Sequence, residues 1–356
     1  MTAAFPVFRA GDEEWSSAAI TTMAEFLGLA LPLRQTLSME LATTSYAEEE
    51  GFEVTEEELQ EASDAFRYRY DLLTTDDTET WLQGMGVIVD DLNDYITRKH
   101  WAERFHENLA AIERDYAPDT EAMESTFWPE VVFDGALRTW AAESAKRAAA
   151  WIESGRAPVA PERRLAARQS FIQRTKVKPR ALNAWLQRVG LDETSFERHL
   201  DMQGCFEDTV ARIASDSKLG DRLQGNRQAF TRIVMEQASF PSSESASEAA
   251  LCVREDKESL AAVAGRAGVE VFVQTAFLDD LPDAIRRLCL SAAPGEVLGP
   301  IERAGRFELT QLREKRDPDP DDAEVRRRLE KDAVDSTINR LVDKHVVWLV
   351  DLEREA

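Results

Sequence analysis

The sequence is poor in cysteine and has no long apolar run. Its three cysteines, Cys205, Cys252 and Cys289, are widely spaced and form no CxxC pair, so they are predicted to be reduced, packed thiols. No stretch approaches the roughly 18 consecutive apolar residues that a membrane-spanning helix needs. The first residues lack the cationic start and apolar core of a secretory signal. These absences predict a cytoplasmic protein without a membrane partner.

Basic residues are also fewer than acidic residues. The chain has 67 acidic residues against 43 lysines and arginines, which gives a net charge of −24. Nucleic-acid binding depends on clustered lysine and arginine, so no nucleic acid is predicted as a general partner. Acidity of this kind commonly serves solubility, and steering of a basic partner is the functional alternative.

Motifs for catalysis and cofactor binding are missing as well. The sequence has no phosphate-binding loop, GxSxG, HExxH or dinucleotide fingerprint. His100, Glu103, His106 and Glu107 share a predicted helix, but the spacing of the two histidines suits one metal ion poorly. A solvated helix face is the favoured interpretation. We predict no catalytic residue, no metal site and no cofactor.

What the sequence does contain is a repeated helical pattern. One copy, repeat one, spans about 35–105 and includes a capping box at Thr55-Glu56-Glu57-Glu58. The other, repeat two, spans about 140–210. Eight aligned positions are identical in the two copies: Val54 and Val159, Glu57 and Glu162, Ala62 and Ala167, Phe66 and Phe171, Trp81 and Trp185, Leu82 and Leu186, Gln83 and Gln187, Gly86 and Gly190. A duplicated helical unit with two lobes around a shared core is predicted.

The two copies differ sharply in charge. Residues 51–75 carry a net charge of −5, whereas the matching residues 156–180 carry +7. The basic copy either docks against the acidic copy or forms a groove for an acidic peptide segment, with nucleic acid as a third interpretation. Trp81 and Trp185 are core anchors or the aromatic walls of a peptide cleft. The predicted peptide-binding residues are Arg163, Arg164, Arg168, Phe171, Arg174, Lys176, Lys178, Arg180 and Trp185.

The remaining chain predicts a change of architecture. The Ser-rich stretch 239–247 indicates a linker, and strands are predicted at 249–253, 269–274 and 307–312. The fold class is therefore mainly α, in three parts. These are a helical body at 1–238, a small α+β domain at 248–316, and a C-terminal helix at 321–353 that packs back on the helical body.

Two segments resemble a known family. EEGFEVTEEELQEASDAFRYRYDL with WLQGMGVIVDDLNDYI resembles the N-terminal chaperone module of SurA-type and PpiC-type proteins. LPDAIRRLCLSAAPGEVLGPIERAGRFELTQLREK is similar to the second half of a parvulin-type peptidyl-prolyl isomerase domain. The layout of most of 35–352 is similar to PpiC-related peptide maturation proteins. This resemblance implies a SurA-like helical chaperone body, a degenerate parvulin-like domain and a returning C-terminal helix.

The histidines of a parvulin pocket are absent. The resemblance implies one histidine on the first strand and one on the last, but no histidine lies between His199 and His345, and Glu308 stands on the last strand. It therefore implies a non-catalytic protein that binds a ribosomally made precursor peptide, or an unfolded peptide segment, and presents it to modifying enzymes. An isomerase with an altered pocket, or a scaffold for a paralogous or pathway partner protein, is the alternative.

Overall fold

The computed structural model describes residues 4–215 and 219–352. Within these ranges sixteen α-helices accompany seven strands in two antiparallel sheets, so the chain is mainly α with a small α+β part, as the sequence predicted. No helix in the described ranges is both long and apolar enough to cross a membrane.

The helices are α1 Ser17–Leu27, α2 Ala30–Glu49, α3 Glu56–Arg69, α4 Thr75–Met85, α5 Val89–Arg104, α6 Leu109–Asp115, α7 Thr120–Phe133, α8 Ala136–Glu153, α9 Pro161–Thr175, α10 Leu182–Arg188, α11 Glu193–Ala214, α12 Leu219–Gly225, α13 Ser243–Glu255, α14 Leu260–Arg266, α15 Asp283–Ser291 and α16 Ala323–His345. The strands are β1 Pro6–Ala10, β2 Glu13–Ser16, β3 Arg232–Phe240, β4 Val271–Phe277, β5 Val297–Arg303, β6 Arg306–Arg316 and β7 Val346–Trp348.

The chain divides into two compact units. The helical unit comprises Met1–Ala211 with Ser336–Ala356, and the second unit comprises Arg212–Asp335. The predicted boundary at residue 238 is wrong, because β3 lies in the sheet of the second unit. The C-terminal helix is also divided between the units. Its first half belongs to the second unit because Val325 and Leu329 pack in an apolar cluster with Phe277, so only the part after 335 returns to the helical unit.

The two copies of the repeat fold alike. Helices α2–α5 form copy one and α8–α11 form copy two, each with a short third helix. Gly86 and Gly190 follow the short helices with φ of 68° and 70°, a conformation that favours glycine. The predicted capping box is present, since the hydroxyl of Thr55 accepts from the backbone N–H of Glu58 and the Glu58 carboxylate accepts from Thr55.

The helices that precede the two copies are exchanged between them. The chain reads EFLG at the end of α1 and VFDG at the end of α7, and in each case the glycine follows the helix at positive φ. Phe26 of α1 stacks on Phe171 of copy two at 5.4 Å between ring centroids. Phe133 of α7 meets Phe66 of copy one edge-on at 5.6 Å. Each leading helix therefore completes the core of the other copy, and both lobes share one apolar cluster.

A small sheet joins the two ends of the helical unit. Its strand order is β2-β1-β7, and the register pairs Phe8 with Trp348 and Ala10 with Val346. Sequence patterns did not indicate these short strands.

The second unit contains a four-stranded antiparallel sheet of order β4-β3-β6-β5. Helices α13 and α14 pack on Ala238 and Phe240 of β3, while α15 packs near Ile233 and Met235 of the same strand. The predicted strand 249–253 is wrong. It lies in α13, which the side chain of Ser242 caps and whose buried alanines recur at helical spacing.

Candidate peptide-binding site

Two of the predicted peptide-binding residues have structural partners in their own copy. Arg164 donates from Nε and Nη2 to the two carboxylate oxygens of Asp201 at 2.9 and 2.8 Å. Nε of Arg163 lies 2.6 Å from a carboxylate oxygen of Asp208. Both acids belong to α11, so docking against the acidic stretch 51–75 does not explain these two arginines. Their charges are neutralised within copy two.

Phe171 and Trp185 are core residues. Their exposed fractions are 1% and 8%, and their ring centroids lie 4.9 Å apart. Phe171 also contacts Phe26 and Phe196, so its ring is enclosed by aromatic side chains. The prediction that these two residues contact a peptide is wrong, because their rings fill the interior between α1, α9 and α11.

The other five predicted residues, Arg168, Arg174, Lys176, Lys178 and Arg180, form no ion pair with any carboxylate in the described part of the chain. The guanidinium of Arg168 lies 5.3 Å from the ring centre of Phe196. Lys176, Lys178 and Arg180 are exposed after the end of α9. We call residues 174–180 the cationic loop. It is a basic surface without internal compensation on a strongly acidic protein.

Arg174 anchors this loop to the helical core. A Cβ on Gly28 would lie 3.1 Å from the Arg174 carbonyl oxygen, so the end of α1 presses against the Arg174 backbone. Within the described structure, Nε and Nη2 of Arg174 are buried without a hydrogen-bond acceptor. Burial lowers the pKa of Arg174, and the charge of Glu207 acts in the opposite direction. Because these two nitrogens are shielded from solvent, Arg174 holds the start of the loop in place and leaves the exposed cations after it to meet a ligand.

A second polar cluster lines a cavity of about 240 Å³ between α1, α2, α7 and the end of α10. The carboxylate of Glu25 accepts from Arg34 at 2.6 Å and from Arg188 at 3.1 and 3.2 Å. Burial alone would raise the pKa of Glu25, but the hydrogen bond and charge of Arg188 with the charge of Arg34 outweigh it and lower that pKa. In the sequence, the one sign of this cluster was Glu25, an acidic residue on the apolar face of α1. Because the charges satisfy one another, we assign this cluster a structural role.

The second unit has no histidine where a parvulin-like pocket would need one. Strands β3 and β6 are neighbours, and Ser239 pairs in register with Glu308. The Ser239 hydroxyl accepts from Nε of Arg306 at 2.9 Å, and Glu308 lies 3.8 Å from Arg303. The sequence of 212–335 contains no histidine. Strand β3, the first strand of this sheet in the sequence, thus carries no histidine. The strand predicted at 249–253 carried none either.

Comparisons with known proteins give likenesses to solved structures only. No protein-family model matches the chain, and no curated protein matches it. One solved structure comes from a study of PEB4 and Cj1289, SurA-like chaperones of Campylobacter jejuni. It is 11% identical, with 61% of this chain and 88% of that chain covered at a TM-score of 0.20.

Two further likenesses are to proteins named PrsA. The foldase PrsA of Streptococcus pneumoniae is 11% identical, with 62% and 87% of the two chains covered and a TM-score of 0.26. PrsA of Bacillus subtilis is 13% identical, with 62% and 84% covered and a TM-score of 0.18. These structural neighbours are SurA-like or PrsA proteins, the group that the sequence motifs resemble. At these TM-scores the likenesses carry no argument, so the proposals below are based on the residues of this chain.

Proposed function

We propose that this chain is a non-catalytic, chaperone-like protein that binds an acidic peptide segment at the cationic loop. The observation that supports this is the contrast within copy two. Arg163 and Arg164 are paired with α11, whereas the cations from 168 to 180 have no carboxylate partner in the described structure. Individual exposed charges contribute little, but several on one surface attract and orient an oppositely charged ligand.

The proposed ligand is a ribosomally made precursor peptide that the protein presents to modifying enzymes. The resemblance to peptide maturation proteins supports this identity, and the free cations supply a recognition chemistry for an acidic leader segment. An unfolded peptide segment of similar charge would bind by the same contacts.

Reversing three charges of the loop tests the proposal. We expect Lys176→Glu/Lys178→Glu/Arg180→Glu, which reverses three exposed cations, to weaken binding of a fluorescent Glu-rich peptide at least about tenfold, or about 1.4 kcal/mol. Fluorescence anisotropy at about 50 and about 300 mM NaCl should also show a smaller salt dependence, since fewer screened contacts remain. The control Arg69→Glu/Arg287→Glu/Arg327→Glu makes the same charge change at exposed positions elsewhere. Equal weakening in both triple variants would mean that net charge alone governs binding.

We expect no prolyl isomerase activity. Ser239 and Glu308 occupy the neighbouring positions of β3 and β6, and the second unit has no histidine. In a protease-coupled assay, a proline peptide should isomerise at its spontaneous rate, over roughly tens to hundreds of seconds. A parvulin assayed alongside provides the positive control. Acceleration that increases with the concentration of this protein would favour the isomerase with an altered pocket.

A further inference from the structure

The last described residues of the chain, 346–352, extend the small sheet of the helical unit as an extended peptide would. Strand β7 pairs antiparallel with β1 at the open edge of the small sheet. The pairing continues past β7, because the backbone N–H of Leu349 donates to the carbonyl of Val7 at 2.9 Å. This is the geometry of strand addition, in which main-chain hydrogen bonds hold an extended segment. We call residues 349–352 the C-terminal segment.

Side chains of the C-terminal segment, from Leu349 to Leu352, alternate between solvent and the protein. Val346 is 7% exposed, and Val350 and Leu352 are partly buried against the main apolar cluster. Val347, Trp348 and Leu349 are 52%, 44% and 44% exposed, so the alternation begins at Leu349. An alternation of period two is what an extended peptide shows when one face lies in a groove.

The groove that receives Leu352 is mainly apolar and lies between α4, α7 and α8. Its apolar lining residues are Tyr70, Trp81, Met85, Val132 and Leu137, and the charged residues Arg138 and Asp351 also line it. Beside it, a cavity of about 320 Å³ separates Trp348 and Val350 from Ala142 of α8. In the described structure, Val350 and Leu352 therefore border open space that a larger side chain could enter.

The corresponding place in copy two is a cavity lined by charged side chains. In the EFLG and VFDG match Glu25 corresponds to Val132, and in the WLQ match Arg188 corresponds to Gly84. Glu25 and Arg188 form an ion pair at 3.1 Å, whereas a Cβ on Gly84 would meet no atom within 4 Å. A groove without this buried ion pair is thus a property of copy one, where the C-terminal segment covers it.

We propose that this groove is a second peptide site, occupied by the C-terminal segment until a substrate displaces it. Its ligand is an extended segment of the bound polypeptide with bulky apolar residues at alternating positions, which replace Val350 and Leu352. Strand β7 stays paired with β1 and holds the displaced segment nearby. The inference rests on the proposed function only in taking a peptide as ligand, since the cationic loop is a separate surface.

Loosening the C-terminal segment provides the test. The probe is a fluorescent synthetic peptide with the sequence of residues 347–352, VWLVDL. We expect Val350→Asp/Leu352→Asp in the full chain to bind it at least about tenfold more tightly than the unmodified protein. The control Val347→Asp/Leu349→Asp alters the exposed face of the same stretch and should bind as the unmodified protein does. Adding Ala142→Phe to the first variant should reduce probe binding again, because it fills the cavity.

A chain that ends at Leu349 provides a second measurement that removes both groove side chains without adding charge. Equal probe affinity in the unmodified, loosened and shortened proteins would overturn the proposal. A dimer of the unmodified protein that is lost in Val350→Asp/Leu352→Asp would assign the groove to the C-terminal segment of a second copy, and would overturn it too. Binding of the Glu-rich peptide should be unchanged in all these variants. A result that overturns the cationic-loop proposal can therefore be told apart from one that overturns the groove proposal.

Discussion

Replacing Glu130 with alanine is expected to lower the free energy of unfolding of the helical unit by about 3–5 kcal/mol. Glu130 of α7 is fully buried and accepts hydrogen bonds from Arg98 at 2.9 Å and Lys99 at 2.8 Å. Arg98 is only 4% exposed, so its guanidinium would remain buried without its carboxylate. Urea unfolding followed by circular dichroism measures the loss. The control Glu103→Ala, at an exposed site on the helix that carries Arg98, should change stability by less than about 0.5 kcal/mol.

Glu40→Gln in the same cluster should have the opposite effect at high pH. Glu40, Glu130 and Asp134 place three carboxylates around two cations, Arg98 and Lys99. Burial, together with the charge of Glu130, raises the pKa of Glu40 to about 7 from its usual value of 4.5. The stability contributed by the protonated form is therefore present below pH 4.5 and is lost as the pH rises through 7. The loss amounts to about 3 kcal/mol.

The glutamine variant should match the unmodified protein near pH 5 and exceed it in stability near pH 8. Unfolding curves at the two pH values measure this. If both proteins lost the same stability between these values, another group would be responsible for the pH dependence.

Phe171→Ala is the other substitution with a large expected effect, a loss of about 3–5 kcal/mol. The Phe171 ring packs against Phe26 from the leading helix of the other copy, so the cavity would lie where the two copies interlock. We expect Phe66→Ala, its counterpart, to cost a similar amount, and each variant to unfold in one transition. Leu165→Ala, on the exposed face of α9, is the control. Two separate transitions in either core variant would show that the lobes fold independently.

Local signals in the sequence were sufficient for many elements of the fold. The capping box at Thr55 and the glycines after α4 and α10 depend on neighbouring residues alone, and each is present. Strand β3 was missed because its buried positions do not keep one alternation: Ile233 and Met235 pack near α15 on one face, whereas Ala238 and Phe240 pack with α13 and α14 on the other. The exchange of α1 and α7 was not predictable either, since four-residue matches do not reveal which copy a helix packs against.

The candidate site was also only partly predictable, because the contacts that define it join residues far apart in the sequence. Charge counts in a window identified the basic copy, but the partners of Arg163 and Arg164 lie on α11, outside that window. The five remaining cations could be separated from these two only once the helices were placed. Phe171 and Trp185 were ambiguous because an aromatic ring matches a core and a peptide groove equally well in sequence.

The second unit is inserted into the sequence of the helical unit, and this affects how the protein is made. Helix α1 leaves the ribosome roughly 150 residues before Phe171, a delay on the order of ten seconds. Strand β1 remains without its partner β7 for longer still, because β7 follows the whole second unit in the sequence. Through this interval Phe26 of α1 lacks two of its native partners, Phe171 and Phe196, in the nascent chain. A protein proposed to bind other polypeptides thus has an incompletely covered apolar side chain of its own during its synthesis.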